Sequence, residues 1–210
     1  MIKLYGQFLS RAPRCLWAVE EIGVEYEHIS VSQMNGETQT PEFLAVNPNG
    51  KVPALVDGDL HLFESMAINL YLAQKYGKSL WPADQNGQAE AIQWSIWAMT
   101  EIEPPLIAML EEIMFKEEGE RDQDRIANAK EQIDRPLKVL NDALASSEWL
   151  VGEAFSIADL NVSSVLSLAG LVQFSVADYA HVERWSTACW SRPANVKLMG
   201  QMQEQMQAVA

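Results

Sequence analysis

Cysteine is nearly absent from this 210-residue chain: Cys15 and Cys189 are the only two, and neither sits in a C-x-x-C or at metal-ligand spacing. A disulfide framework is excluded and a dithiol redox centre is not expected. His28, His61 and His181 are isolated in sequence, with no H-x-x-x-H or carboxylate spacing to join them, so no metal is expected. Long apolar runs are missing too. The most continuous, Val165 to Val172, falls far short of the ~20 residues a membrane-spanning helix needs. Lys3, Gln7, Ser10 and Arg11 interrupt any signal peptide, and the expected location is cytoplasmic. Basic charge is scarce, with 15 Lys plus Arg against 29 Asp plus Glu and a net charge of −14. No Lys/Arg-rich run offsets it, which argues against nucleic-acid and membrane-surface partners. G-x-S-x-G, P-loop and G-x-G-x-x-G signatures are absent. What is present, 48% apolar and 21% charged residues, suffices for a packed core.

The pattern changes grammar part-way along. Ile2 to Gly6 is a short apolar run ending in glycine; a polar loop follows, then Cys15, Leu16, Val19 and Ile22 recur at helical spacing. Tyr26 to Val31 reads as a second strand, and Thr40 to Val46 as a short helix opening on Pro41. Val52 to Val56 and Leu60 to Phe63 flank Asp57-Gly58-Asp59 as a hairpin, and a helix runs from Ser65 to Tyr76. The order is βαβαββα. Trp81-Pro82 and Asn86-Gly87 mark a linker, after which only helical periods occur: Gln88 to about Glu118, Arg121 to Ala145, Ser156 to Val172, and Asp178 to the C-terminus with a break near Pro193. Pro104-Pro105 and Pro136 predict kinks in the first two. The expected division is an α/β domain at residues 1–77, a linker at 78–88 and an all-α domain at 89–210.

Three segments carry chemistry. In Phe8-Leu9-Ser10-Arg11-Ala12-Pro13, Pro13 suits a helix start, so Ser10 lies near the positive end of that helix, where its hydroxyl either caps the helix or donates to an anion. Asn47-Pro48-Asn49-Gly50-Lys51-Val52-Pro53 is a loop entering a strand through a Val-Pro bond. Glu64-Ser65 opens a helix where backbone N–H groups and a hydroxyl can meet a carboxylate. Far downstream, Ser156-x-x-Asp159 after Gly152-Glu153-Ala154-Phe155 is a capping box, read as structural.

Taken together and in order, these segments resemble the cytosolic glutathione transferases, of the type whose activating residue is a serine (theta/nu-like, as in bacterial members). The resemblance implies a thioredoxin-like N-terminal domain, an all-helical C-terminal domain, glutathione as co-substrate, no metal, and a homodimer paired through the helix carrying Trp94, Trp97, Glu101 and Glu103. It implies a cis Val52-Pro53 bond, with the backbone of Val52 pairing with the cysteinyl unit. Ser65 then meets the γ-glutamyl carboxylate, Glu64 the α-amino group, and Lys51 the glycyl carboxylate. Ser10 becomes a donor that holds the sulfur ionised, with Arg11 adding positive potential; Tyr5, in a predicted strand, is the less favoured alternative. Cys15, on the apolar stripe of the first helix, reads as a small buried hydrophobe. An apolar acceptor cleft between the domains is implied, with Phe8, Leu9, Met109, Ile113 and Met114 as candidates. The expected reaction is detoxifying attack of the thiolate on an electrophilic, largely apolar small molecule. The alternatives are glutathione-dependent peroxide or disulfide reduction, and a non-catalytic interaction module of the same fold.

Overall fold

The computed structural model describes residues 1–77 and 79–209; Lys78, at the start of the expected linker, and Ala210 lie outside the described residues. The chain forms two compact units, Met1–Trp81 with the segment from Ser191 onward, and Pro82–Trp190.

The first unit contains β1 (Ile2–Tyr5), α1 (Ala12–Ile22), β2 (Tyr26–Ile29), α2 (Pro41–Leu44), β3 (Ala54–Asp57), β4 (Leu60–Phe63) and α3 (Ser65–Lys75), the expected βαβαββα order. Its strands form one mixed sheet, β2-β1-β3-β4. β2 lies parallel to β1, with Leu4 opposite His28, while β1/β3 and β3/β4 are antiparallel. The apolar stripe predicted for α1 is buried: Cys15, Leu16 and Val19 are at most 1% exposed, as are Leu4 and Leu55 of the sheet and Ile68 and Leu72 of α3. Three boundaries differ from expectation by two residues. β2 stops at Ile29 and α2 at Leu44, and β3 starts at Ala54 because Pro53 has no N–H to give the ladder. Thr40 caps α2 by accepting from the Phe43 N–H at 3.3 Å.

Two polar clusters tie this unit together. Asp57 Oδ2 accepts from the Tyr71 hydroxyl at 2.7 Å, the Tyr76 hydroxyl at 2.6 Å and Lys75 Nζ at 2.8 Å, fastening the end of α3 to the hairpin. These three donors hold the Asp57 carboxyl down at about 2, and the carboxylate in turn pushes the Lys75 ammonium up. The helix α10 (Pro193–Val209) is joined to α1 by Lys197 to Glu20 at 2.6 Å and by Arg192, whose guanidinium pairs with Glu21. These cross-links explain why the last helix groups with the first unit.

The second unit is helical, with α4 (Gln85–Trp97), α5 (Glu103–Phe115), α6 (Gln123–Ala143), α7 (Ile157–Leu166), α8 (Leu168–Leu171) and α9 (Ala180–Trp190). The single helix expected from Gln88 to Glu118 is interrupted at Ala98–Ile102 by a π turn, in which the Glu103 N–H reaches the Ala98 carbonyl. The cause is local: Pro104 and Pro105 have no N–H for the carbonyls four residues earlier, so the ladder widens ahead of them. Pro136 lies inside α6, whose helical run continues past it within a buried stripe of Ile133, Leu137 and Leu140. The capping box forms at α7 as expected, with both reciprocal bonds between Ser156 and Asp159. Asp159 also accepts from the Leu150 N–H at 2.9 Å and the Trp185 indole N–H at 2.8 Å. No helix among the described residues is long and apolar enough to cross a membrane.

Candidate active site

The site residues of the first unit are organised around Gly6, the residue that follows β1. Its φ of +137° belongs to a region that L side chains rarely adopt, and a Cβ built there meets the Cβ of Ala12 at 2.6 Å. The same point lies 3.2 Å from the Cβ of Val52 and 3.7 Å from the Ser10 hydroxyl oxygen. The missing side chain is thus what lets the start of α1, the Ser10 turn and the Val-Pro loop converge.

Ser10 is half-buried in the turn before α1, with exposed Arg11 at the N-cap position. Its hydroxyl accepts from the Ala12 N–H at 3.0 Å and donates to the Gln7 carbonyl at 2.6 Å. Both readings of this serine therefore meet in one atom. The oxygen caps the first turn, and the proton, held by Gln7, is transferable by rotation about Cβ–Oγ to an anion placed opposite. Exchanging a neutral bond worth ~1 kcal/mol for a charge-assisted one of ~1.5–3 kcal/mol leaves a net gain near 1 kcal/mol.

The Val52-Pro53 peptide is cis, as the resemblance implies. Asn47, 1% exposed, braces this loop: its Nδ2 donates to the Lys51 carbonyl at 2.6 Å, and its Oδ1 accepts from the Asn49 N–H at 3.0 Å. The side-chain amide of Gln39 donates to the Gly50 carbonyl at 3.3 Å. Val52 itself is buried, and among the described residues no hydrogen bond engages its N–H or C=O. Those two groups are available to pair with an extended peptide.

At the start of α3, Glu64 adopts φ 70° and ψ 115°, a conformation that costs a non-glycine residue of order 1–3 kcal/mol. No side chain caps this helix, and Ser65, its first residue, is 3% exposed. Uncapped N–H groups at the head of an 11-residue helix, beside a hydroxyl, suit a carboxylate. Cys15 links this helix start to α1 by donating to the Ser65 carbonyl at 3.6 Å. Complete burial pushes its thiol well above the ordinary range, which makes it an inert packing group. Glu64 and Lys51 are exposed.

The remaining nominated residues are scattered in exposure. Phe8 is half-buried and Leu9 is 70% exposed, both on the Ser10 turn. On α5 of the second unit, Met114 is 55% exposed and Ile113 half-buried, whereas Met109 is wholly buried and presents no surface to a ligand. The sequence alone assigns no site role to Gly6, Gln7, Asn47 or His28. Of these, Gly6 and Asn47 had a visible signal, a glycine closing a strand and an Asn-Pro-Asn-Gly turn. No group of three His, Cys, Asp or Glu able to hold a metal occurs among the described residues.

A thioredoxin-like sheet carrying a cis-proline loop, followed by a helical unit, defines the class of protein. Comparison with known proteins makes it specific. Residues 1–74 match the glutathione S-transferase N-terminal domain and residues 97–193 the glutathione S-transferase C-terminal domain. Glutathione S-transferase 1 of Zea mays is 36% identical over 96% of this chain and 97% of its own, and glutathione S-transferase GstB of Escherichia coli (strain K12) is 32% identical over 95% and 98%. Among solved structures, the theta class glutathione S-transferase of Xanthomonas axonopodis pv. citri, with glutathione bound, superimposes with a TM-score of 0.86 at 32% identity, covering 93% of this chain and 95% of that one. The chain belongs to the glutathione S-transferase family of enzymes.

Proposed function

We propose that this enzyme binds glutathione, ionises its thiol and directs the thiolate at an electrophilic carbon of a largely apolar small molecule. One observation carries the reading: around Gly6 the Ser10 hydroxyl, the N-terminus of α1 and Val52, with its unengaged backbone, come together. In the proposed assignment, Val52 pairs with the cysteinyl backbone and so delivers the sulfur to Ser10. The γ-glutamyl carboxylate sits at the N-terminus of α3 with Ser65, Glu64 takes the α-amino group, and Lys51 the glycyl carboxylate. The Ser10 proton turns from Gln7 to the sulfur, while the thiol proton leaves to solvent. The sulfur then forms the S–C bond, and the displaced group departs with its electron pair, or the adduct carbanion takes up a proton.

A free thiol ionises near ~8.5, and a net gain of about 1 kcal/mol from Ser10 lowers that by somewhat under one unit. The dipole of α1 and the exposed Arg11 supply further stabilisation of ~0.3–1 kcal/mol each. Burial of Cys15 supports this chemistry over thiol–disulfide exchange through a protein cysteine. The domain division at residues 78–88, the serine-type subclass, an acceptor surface including Phe8, Leu9, Ile113 and Met114, a cytoplasmic location and a homodimer belong to the same proposal. A model-electrophile assay tests it: Ser10→Ala is expected to lower kcat/KM about fivefold below pH 7 while glutathione still binds, and an unchanged rate removes Ser10 from the mechanism.

A further inference from the structure

We propose that His28, on the edge strand β2, is a positioning residue for the Ser10 turn, an inference that rests on the thiolate reading above. Its Nε2 lies 2.7 Å from the Gly6 carbonyl. A carbonyl only accepts, so Nε2 carries the proton and donates, whether the ring is neutral or charged. The Gly6 N–H meanwhile donates to the Ile29 carbonyl at 3.0 Å. Both polar groups of the Gly6 backbone are therefore held from β2, one by its main chain and the other by a side chain. The same imidazole meets the Phe8 ring edge to face, with centroids 5.7 Å apart.

His28 thus grips residues 6 and 8, on either side of Gln7, and Gln7 supplies the carbonyl that holds the Ser10 proton. Gly6 cannot drift without consequence, because Ala12 and Val52 crowd the point where its Cβ would be. Fixing that residue fixes the spacing between the hydroxyl and the loop proposed to deliver the sulfur. In sequence His28 is isolated; only the parallel pairing of β1 and β2, which sets it opposite Leu4, brings it to the turn.

The test compares the wild type with Ser10→Ala, His28→Leu and His28→Gln, titrating the thiol of bound glutathione by the ultraviolet absorbance of its thiolate and measuring kcat and KM for a model electrophile. Leu fills the space without donating; Gln retains an N–H able to reach the Gly6 carbonyl. His28→Leu is expected to raise the bound-thiol midpoint by about half a unit and lower kcat about threefold, with KM for the electrophile little changed and the urea midpoint retained, and His28→Gln to recover most of both. If Ser10→Ala moves the thiol midpoint and His28→Leu does not, the positioning role is overturned and the thiolate reading stands. Should His28→Gln behave like His28→Leu, the donated bond is not the cause and the proposal fails as well. If the wild-type midpoint matches that of free glutathione, the thiolate reading fails first and takes this inference with it.

Discussion

Asp159 is the residue whose removal has the most calculable consequence. It is fully buried, and its two oxygens accept four bonds: from the Leu150 N–H at 2.9 Å, the Trp185 indole at 2.8 Å, the Ser156 N–H at 2.9 Å and the Ser156 hydroxyl at 3.0 Å. Asp159→Ala deletes every acceptor at once. Only the reciprocal half of the capping box is lost, because the Ser156 hydroxyl still accepts from the Ala158 N–H at 3.2 Å. The Leu150, Ser156 and Trp185 N–H groups are stranded at ~1–3 kcal/mol each, although water entering the gap and rotation of the Ser156 hydroxyl recover part of this. A net loss of about 4 kcal/mol results, within the range for breaking a buried charged network. Against a total stability of ~5–15 kcal/mol, that is a large fraction. With a urea slope of ~2–3 kcal/mol per molar, the unfolding midpoint followed by far-ultraviolet circular dichroism should fall by roughly 1.3–2 M. Asp159→Asn keeps one acceptor and should fall about half as far. A shift below about 0.3 M for Asp159→Ala would mean that the network carries no stability and that the packing of α7 is secured by apolar contacts alone.

Other expectations follow from single residues. Gly6→Ala combines an unfavourable φ with a Cβ 2.6 Å from Ala12, so it should cost ~2–5 kcal/mol and abolish glutathione binding; calorimetry that finds normal affinity would sever the link between this glycine and the site. Cys15, buried and with its thiol pushed up, should resist alkylation in the native enzyme, and Cys15→Ser should keep the transferase rate to within about threefold; rapid labelling without unfolding would contradict this. The Asp57 carboxyl is held down at about 2, below its unfolded value of ~3.9, so its contribution is whole above pH 4 and is lost as the pH falls toward 2. Asp57→Asn should accordingly destabilise the wild type by about 1 kcal/mol at pH 6, with the gap closing between pH 4 and 2; a gap independent of pH would show that its charge is not what matters.

Much of this architecture is legible along the chain because the signals are local. The four strands, α1 to α3, Pro41 at a helix start and the Ser156-x-x-Asp159 box are each specified by their own segment, and they formed where expected to within two residues. What escaped reading depends on partners far away in sequence. The π turn at Ala98–Ile102 is the response of a ladder to two consecutive prolines, a choice between bending and widening that periodicity does not encode. At Pro136 the helical run of α6 continues, with buried apolar residues on both sides. Met109 illustrates a further limit: an apolar residue on a helix looks the same whether it faces the core or a ligand, and here it is wholly buried. In the candidate site, Ser10, Val52, Pro53, Glu64 and Ser65 were readable because they fall within short motifs. The crowding at Gly6 and the grip of His28 on its carbonyl were not, because they exist only once β1, β2 and the Val-Pro loop are assembled.

The most direct measurement is the ionisation of the sulfur itself. Glutathione is bound to the wild type and to Ser10→Ala at saturating concentration, and the thiolate absorbance of each complex is titrated with pH. The expected wild-type midpoint lies about one to two units below the ~8.5 of a free thiol, and Ser10→Ala moves it back by somewhat under one unit. Coincident curves for the two proteins, or a bound thiol that titrates as it does in free solution, would contradict it.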